Sequence, residues 1–80
     1  MRYFKNTSDD YYSIWQLRED GMEKCILDNS NNEMFYLCYE WHNPKSIRNY
    51  TCMLTLIDCV NKNPDIWVEI TEGEAFLEVL

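Results

Sequence analysis

Hydrophobic positions between Asn43 and Asn61 recur at helical spacing and spread unusually far around the helix. Ile47, Tyr50, Cys52, Met53, Leu54, Leu56, Ile57, Cys59 and Val60 take well over half the circumference, leaving Arg48, Thr51, Thr55, Asp58 and Lys62 as the polar strip. A helix that covers one sheet needs an apolar stripe of only ~100°, so this one is expected to be covered on two sides. Asn43 suits the N-cap and Pro44 the first helical position. Asn63-Pro64 marks the end, because the residue before a proline is pushed out of helical geometry. Thr51–Ile57, with alternating β-branched residues, also fits a strand.

The rest of the chain alternates with the two-residue period of strands. Arg2–Lys5 reads as a short aromatic edge strand, and Asn6–Asp10 as a polar connection. Tyr11–Arg18 and Met22–Asp28 read as a hairpin about Asp20-Gly21, the dipeptide favoured in a type I′ turn. A two-residue loop there pairs Arg18 with Glu23, Trp15 with Ile26 and Ile14 with Leu27, one opposite-charge pair and two apolar ones. After the loop Asn29-Ser30-Asn31-Asn32, the aromatic run Glu33–Trp41 is expected as a strand, with a helix as its alternative. A four-residue hairpin loop would set Asp28 against Glu33, which points to a bulge or another register. Ile66–Ile70 is a compact strand. Thr71 and Glu74 then have the spacing of a capping box, with Ile70 and Ala75 at the staple positions, opening a helix over residues 72–80. Glu72 and Glu74 suit the positive end of its dipole.

Together these elements predict one α+β domain over residues 1–80. It has a mostly antiparallel sheet of four to five strands packed on one long helix (about 44–61), and a short C-terminal helix (about 72–80). Eighty residues bury only about 60–65% of their unfolded surface, which bounds net stability at roughly 5–10 kcal/mol. With 46% hydrophobic residues the chain has enough apolar content to fold.

Charge narrows the choice of partner. The net charge is −7, divided as −4 over residues 1–40, +2 over 41–64 and −5 over 65–80. Phosphate backbones require Lys and Arg, so direct nucleic-acid binding is not expected. A basic protein surface is, including one that itself grips nucleic acid. Mutual compensation of the basic middle and the acidic end is the plainer alternative. Met1–Lys5 is not followed by the apolar region of a signal peptide, and no run approaches the ~20 residues of a membrane span. A cytoplasmic protein without membrane contact is expected.

Motifs for chemistry are sparse. Cys25, Cys38, Cys52 and Cys59 are spaced 13, 14 and 7 residues apart, with no close pair to start a zinc site. They are read as reduced, buried thiols. His42 alone could serve a Cys–His nucleophile with Cys38 or Cys52, but no motif recommends it. Asp9-Asp10, Glu19-Asp20 and Glu72/Glu74 fall in turns or a cap, where solvated acids are ordinary. Gly21 and Gly73 are isolated and cradle no phosphate. No cofactor, no metal and no enzymatic activity are expected.

The aromatic residues say more. Three Trp, six Tyr and three Phe exceed what an 80-residue core encloses alongside its aliphatics, and Tyr and Trp are enriched at binding hot spots. Half-exposed tyrosines on a sheet are the plainer explanation. The segments RYFK, YYSIWQLREDGMEKCIL and WVEITEGEA resemble small acidic accessory proteins of bacteriophages and mobile elements. The resemblance covers about half the chain and implies an accessory role of the anti-CRISPR or anti-defence kind, in a host cytoplasm, with no functional residue carried over. The expected function is a non-enzymatic protein-binding inhibitor that occludes a basic surface. Its contacts would come from Asp9, Asp10, Glu19 and Asp20, or from Glu69, Glu72, Glu74 and Glu78, with Trp41 or Trp67 as anchor. A homodimer through the central helix is the first alternative, and a small thiol- or metal-dependent enzyme the second.

Overall fold

The hairpin at Asp20-Gly21 forms, but with a longer loop than a type I′ turn. In the computed structural model, which describes residues 1–9, 12–29, 39–44 and 55–80, Gly21 N–H donates to Arg18 O and Arg18 N–H to Met22 O. Glu19, Asp20 and Gly21 therefore make a three-residue loop, and only Gly21 takes a positive φ, +89°. A type I turn closed by one left-handed residue gives this geometry. Strands β1 (Arg2–Asn6), β2 (Ser13–Leu17) and β3 (Glu23–Asp28) follow from it.

The extra loop residue shifts the register near the turn. Leu17 pairs with Glu23 and Trp15 with Cys25, in place of Arg18 with Glu23 and Trp15 with Ile26. A bulge between Ile14 and Trp15 on the pairing then takes up Ile26, and Ile14 meets Leu27 as expected. The bulge thus cancels the offset introduced by the turn.

Strand β4 (Trp67–Ile70) completes an antiparallel sheet of order β3-β2-β1-β4. The first strand was expected at an edge and instead lies inside, between β2 and β4. Its alternation explains the position: Tyr3 is 5% exposed and Phe4 1%, so both faces of β1 are buried. Thr7 extends the pairing with β4 through its backbone N–H and its hydroxyl, both donating to Ile66 O.

Among the described residues, each face of the sheet carries one short helix. Phe4, Trp15 and Cys25 are cross-strand partners on one face and pack with Leu56, flanked by Leu17, Ile57, Val60 and Trp67. Tyr3 and Ile14, on the other face, pack with Ala75, flanked by Ile26, Leu27 and Ile70. The helices are α1 (Leu56–Lys62) and α2 (Glu72–Val79). Each begins with a complete capping box, Thr55 with Asp58 and Thr71 with Glu74. At seven and eight residues neither would persist alone, so docking on the sheet holds them.

The long helix over 44–61 is corrected. Thr55 is extended, with φ −66° and ψ 160°, so no helix runs unbroken through it. The apolar period located the helix but not its start, because Thr55-x-x-Asp58 caps a helix of its own; residues 45–54 of the expected helix lie outside the described residues. The far end agrees with expectation: Lys62 is the last helical residue and Asn63 the C-cap. The strand-or-helix alternatives for residues 33–38 and 51–54 fall outside the described residues. Within the described end of the first run, Tyr39 and Glu40 form a bend and His42 a single bridge, not a strand.

Candidate functional site

Glu23 is the most unusual polar residue of the described chain. Alternation along β3 puts it on the face of Cys25, and it is 3% exposed. Its carboxylate oxygen Oε2 accepts the Leu56 amide at 2.9 Å, so a strand residue caps the first turn of α1. Its backbone also exchanges both ladder bonds with His42, N–H to O at 2.9 and 3.0 Å, which covers the outer edge of β3 at this point. Burial raises its pKa; the Leu56 amide works against that, and Asp58 adds to the rise, leaving it at about 7.

His42 is fixed by the same bridge. Its ring meets Trp15 edge-to-face at 6.4 Å between centroids. Nδ1 lies 3.0 Å from the Glu40 carbonyl, which can only accept, so Nδ1 is the donor. Nε2 is buried and has no hydrogen-bond partner among the described residues. Cys59, on α1, is half-buried and free. Burial pushes its thiol up, and Glu23 and Asp58 push further. That disfavours the thiolate a nucleophile or metal ligand needs.

An open pocket of about 510 Å³ lies beside Glu23, between the β2–β3 turn, β1 and the start of α1. Leu17 and Ile57 form apolar wall, while Arg2, Arg18, Glu19, Asp20 and Thr55 bring polar groups to it. Arg2 is held bidentately by Glu69, at 2.8 and 2.9 Å, and lies over the Phe4 ring. Arg18 is held by Asp20 and lies over Trp41 at 5.0 Å.

Most of the acids expected to face a partner are engaged within the molecule. Glu69 is tied to Arg2, whose hydrogen bond lowers its pKa. Glu78 accepts from Lys5 at 2.7 Å and from the Tyr12 hydroxyl, and these bonds lower its pKa. Asp20 is lowered by Arg18 and then by the Met22 amide. Glu74 serves the α2 capping box, and Glu72 receives the Tyr3 hydroxyl at 3.5 Å. Glu19 and Asp9 are exposed in turns, and Asp10 lies outside the described residues. The two tryptophan anchors are occupied as well. Trp67 packs on the Phe4 cluster, and Trp41 receives Arg18 and Lys24 on its ring. The structure therefore brings Glu19 and Asp20 to the Glu23 pocket and sets Glu72, Glu74 and Glu78 on α2, on the opposite face of the sheet.

Two features were not singled out from sequence. One is buried Glu23, whose signal was its two-residue spacing from Cys25. The other is the outer side of α2: the sequence offers Phe76, Val79 and Leu80 to a core, yet Phe76 is 53% exposed, Leu77 73%, Val79 45% and Leu80 98%, and Ala75 is the helix residue that is buried. The outward positions of α1 are polar: Asp58, Asn61 and Lys62 are exposed. No group of three or more His, Cys, Asp or Glu among the described residues is placed to hold a metal ion. No helix among them is long and apolar enough to cross a membrane. No protein-family model matches this chain, and no solved structure matches it.

Proposed function

We propose that this domain is a non-enzymatic protein-binding module that docks on a basic protein through the outer face of α2. The observation that carries the reading is the composition of that face. Phe76 and Leu77 are more than half exposed on the helix that carries Glu72 and Glu74, and so is Leu80, its C-cap. Residues 65–80 hold five acids and no base. Apolar anchors bordered by charge of one sign supply both halves of an interface: desolvated contact area and electrostatic register. The unfavourable thiol of Cys59 and the burial of Cys25 support a binding role over a thiol-dependent one. The resemblance to phage accessory proteins makes host nucleic-acid-binding proteins the first partners to try, with inhibition by occlusion as the mechanism.

The test is capture from host lysate by the wild-type chain and by Leu77→Glu, read by mass spectrometry. A basic protein retained by the wild type, lost with Leu77→Glu and released as ionic strength rises from about 0.1 M to about 1 M is expected, since the screening length falls from ~10 to ~3 Å. Equal retention by both chains would refute the α2 face. Retention unchanged by salt would refute the basic partner.

A further inference from the structure

We propose that the pocket beside Glu23 binds a guanidinium or ammonium group on an aliphatic stem, the chemistry of an arginine or lysine side chain. The site lies on the α1 side of the sheet and does not depend on the α2 reading. Three observations converge on it. First, Glu23 is 3% exposed and its Oε2 is committed to the Leu56 amide, while nothing among the described residues is bonded to Oε1. A desolvated carboxylate with an open acceptor position favours a cationic donor, whose charge-assisted bond is about twice as strong as a neutral one.

Second, the charges that the described residues bring to the pocket cancel except for acids. Arg2 is neutralised by Glu69 and Arg18 by Asp20. Glu19, exposed on the turn, has no ion-pair or hydrogen-bond partner among the described residues, and Glu23 forms no ion pair among them. Among the described residues the charge left over at the mouth is negative. Third, Leu17 and Ile57 provide apolar wall for a methylene stem, and the volume of about 510 Å³ accommodates one long side chain.

A cation at Oε1 holds Glu23 ionised, so binding expels the proton that burial otherwise retains. The groups arranged about Glu23 are Asp58 and Cys59 from α1, His42 from the segment 39–44, Arg18, Glu19 and Asp20 from the turn, and Arg2 from β1. Asp58 reinforces the preference for a cation, and the two arginines are already paired. With Glu23 titrating at about 7, its ionised fraction rises about tenfold between pH 6 and pH 8, and affinity should rise by the same factor.

The experiment is an amide-shift titration of the isotope-labelled protein with N-acetyl-arginine methylamide at both pH values, repeated with agmatine and with a short arginine-containing peptide. Saturable shifts at Leu56 and Gly21, about tenfold tighter binding at the higher pH, and loss of both in Glu23→Gln are expected. Glu19→Gln, on the exposed turn, should weaken binding while leaving the spectrum folded. Equal affinity for agmatine and peptide assigns the site to free small amines; preference for the peptide assigns it to a partner's side chain. No saturable shift, undiminished binding by folded Glu23→Gln and Glu19→Gln, or stronger shifts with acetate than with the cations would overturn the proposal.

Discussion

Replacing Glu23 with glutamine should stabilise the domain at alkaline pH and leave it nearly unchanged at acid pH. The carboxylate sits under the sheet with 3% exposure, and its pKa rises from an ordinary 4.5 to about 7. The folded state therefore holds this proton more tightly than the unfolded chain. The resulting stability is fully present below pH 4.5 and is lost as pH rises through 7. The gap between 4.5 and about 7, at about 1.36 kcal/mol per pH unit, comes to about 3 kcal/mol, a large share of the ~5–10 kcal/mol available to a domain of this size. Asp20, Glu69 and Glu78 act in the opposite direction. Their lowered values give stability that is present above the ordinary carboxylate range and lost as pH falls. Wild-type stability should therefore peak close to pH 5 and decline toward pH 8. Glutamine keeps an oxygen to accept the Leu56 amide and carries no charge to desolvate, so its descending limb should flatten. Urea unfolding of both proteins at intervals from about pH 5 to about pH 8 measures this directly. Parallel curves, or a wild-type curve that is flat over that range, would show that Glu23 does not titrate in the fold as argued.

Four further outcomes follow from local geometry. Thr71→Ala removes the hydroxyl that accepts the Glu74 amide at 3.1 Å, and should cost about 1 kcal/mol in chemical denaturation. Gly21→Ala has nothing within 4 Å of the added methyl, so its cost of about 1–2 kcal/mol reflects only the left-handed backbone at φ +89°; a smaller loss would mean the turn relaxes to another type. Phe4→Ala, at a residue 1% exposed, should lose about 3–5 kcal/mol and approach the limit of folding, whereas Leu77→Ala, at 73% exposed, should stay within about 0.5 kcal/mol of wild type by thermal melting.

What could be read from the chain was what depends on near neighbours. The α2 capping box is four consecutive residues, and both of its bonds form. The hairpin was located by Asp20-Gly21, and the Ile14–Leu27 pair survives. The loop length did not, because Gly21 alone supplies the positive φ and a type I turn places it third rather than second. The α1 boundary was misplaced for a related reason: apolar spacing reports which face is buried, not where the helix begins. The Glu23 site was hardly visible at all. Its burial depends on His42 and Leu56, which lie 19 and 33 positions further along the chain. Nothing in residues 20–28 announces their arrival. Internal compensation of the acidic end was legible as the plainer alternative, but not its source in β1, since Arg2 reaches Glu69 and Lys5 reaches Glu78 across 67 and 73 positions.

The interior placement of β1 governs the order of assembly. The hairpin of β2 and β3 can zip early from its turn, but β1 gains its second neighbour only when Trp67–Ile70 has emerged and turned back. Until then one side of an aromatic strand offers a row of unsatisfied amides and carbonyls to any passing chain. Maturation of this domain is therefore late and governed by distant pairing, and crowding of nascent copies should be its main hazard during synthesis.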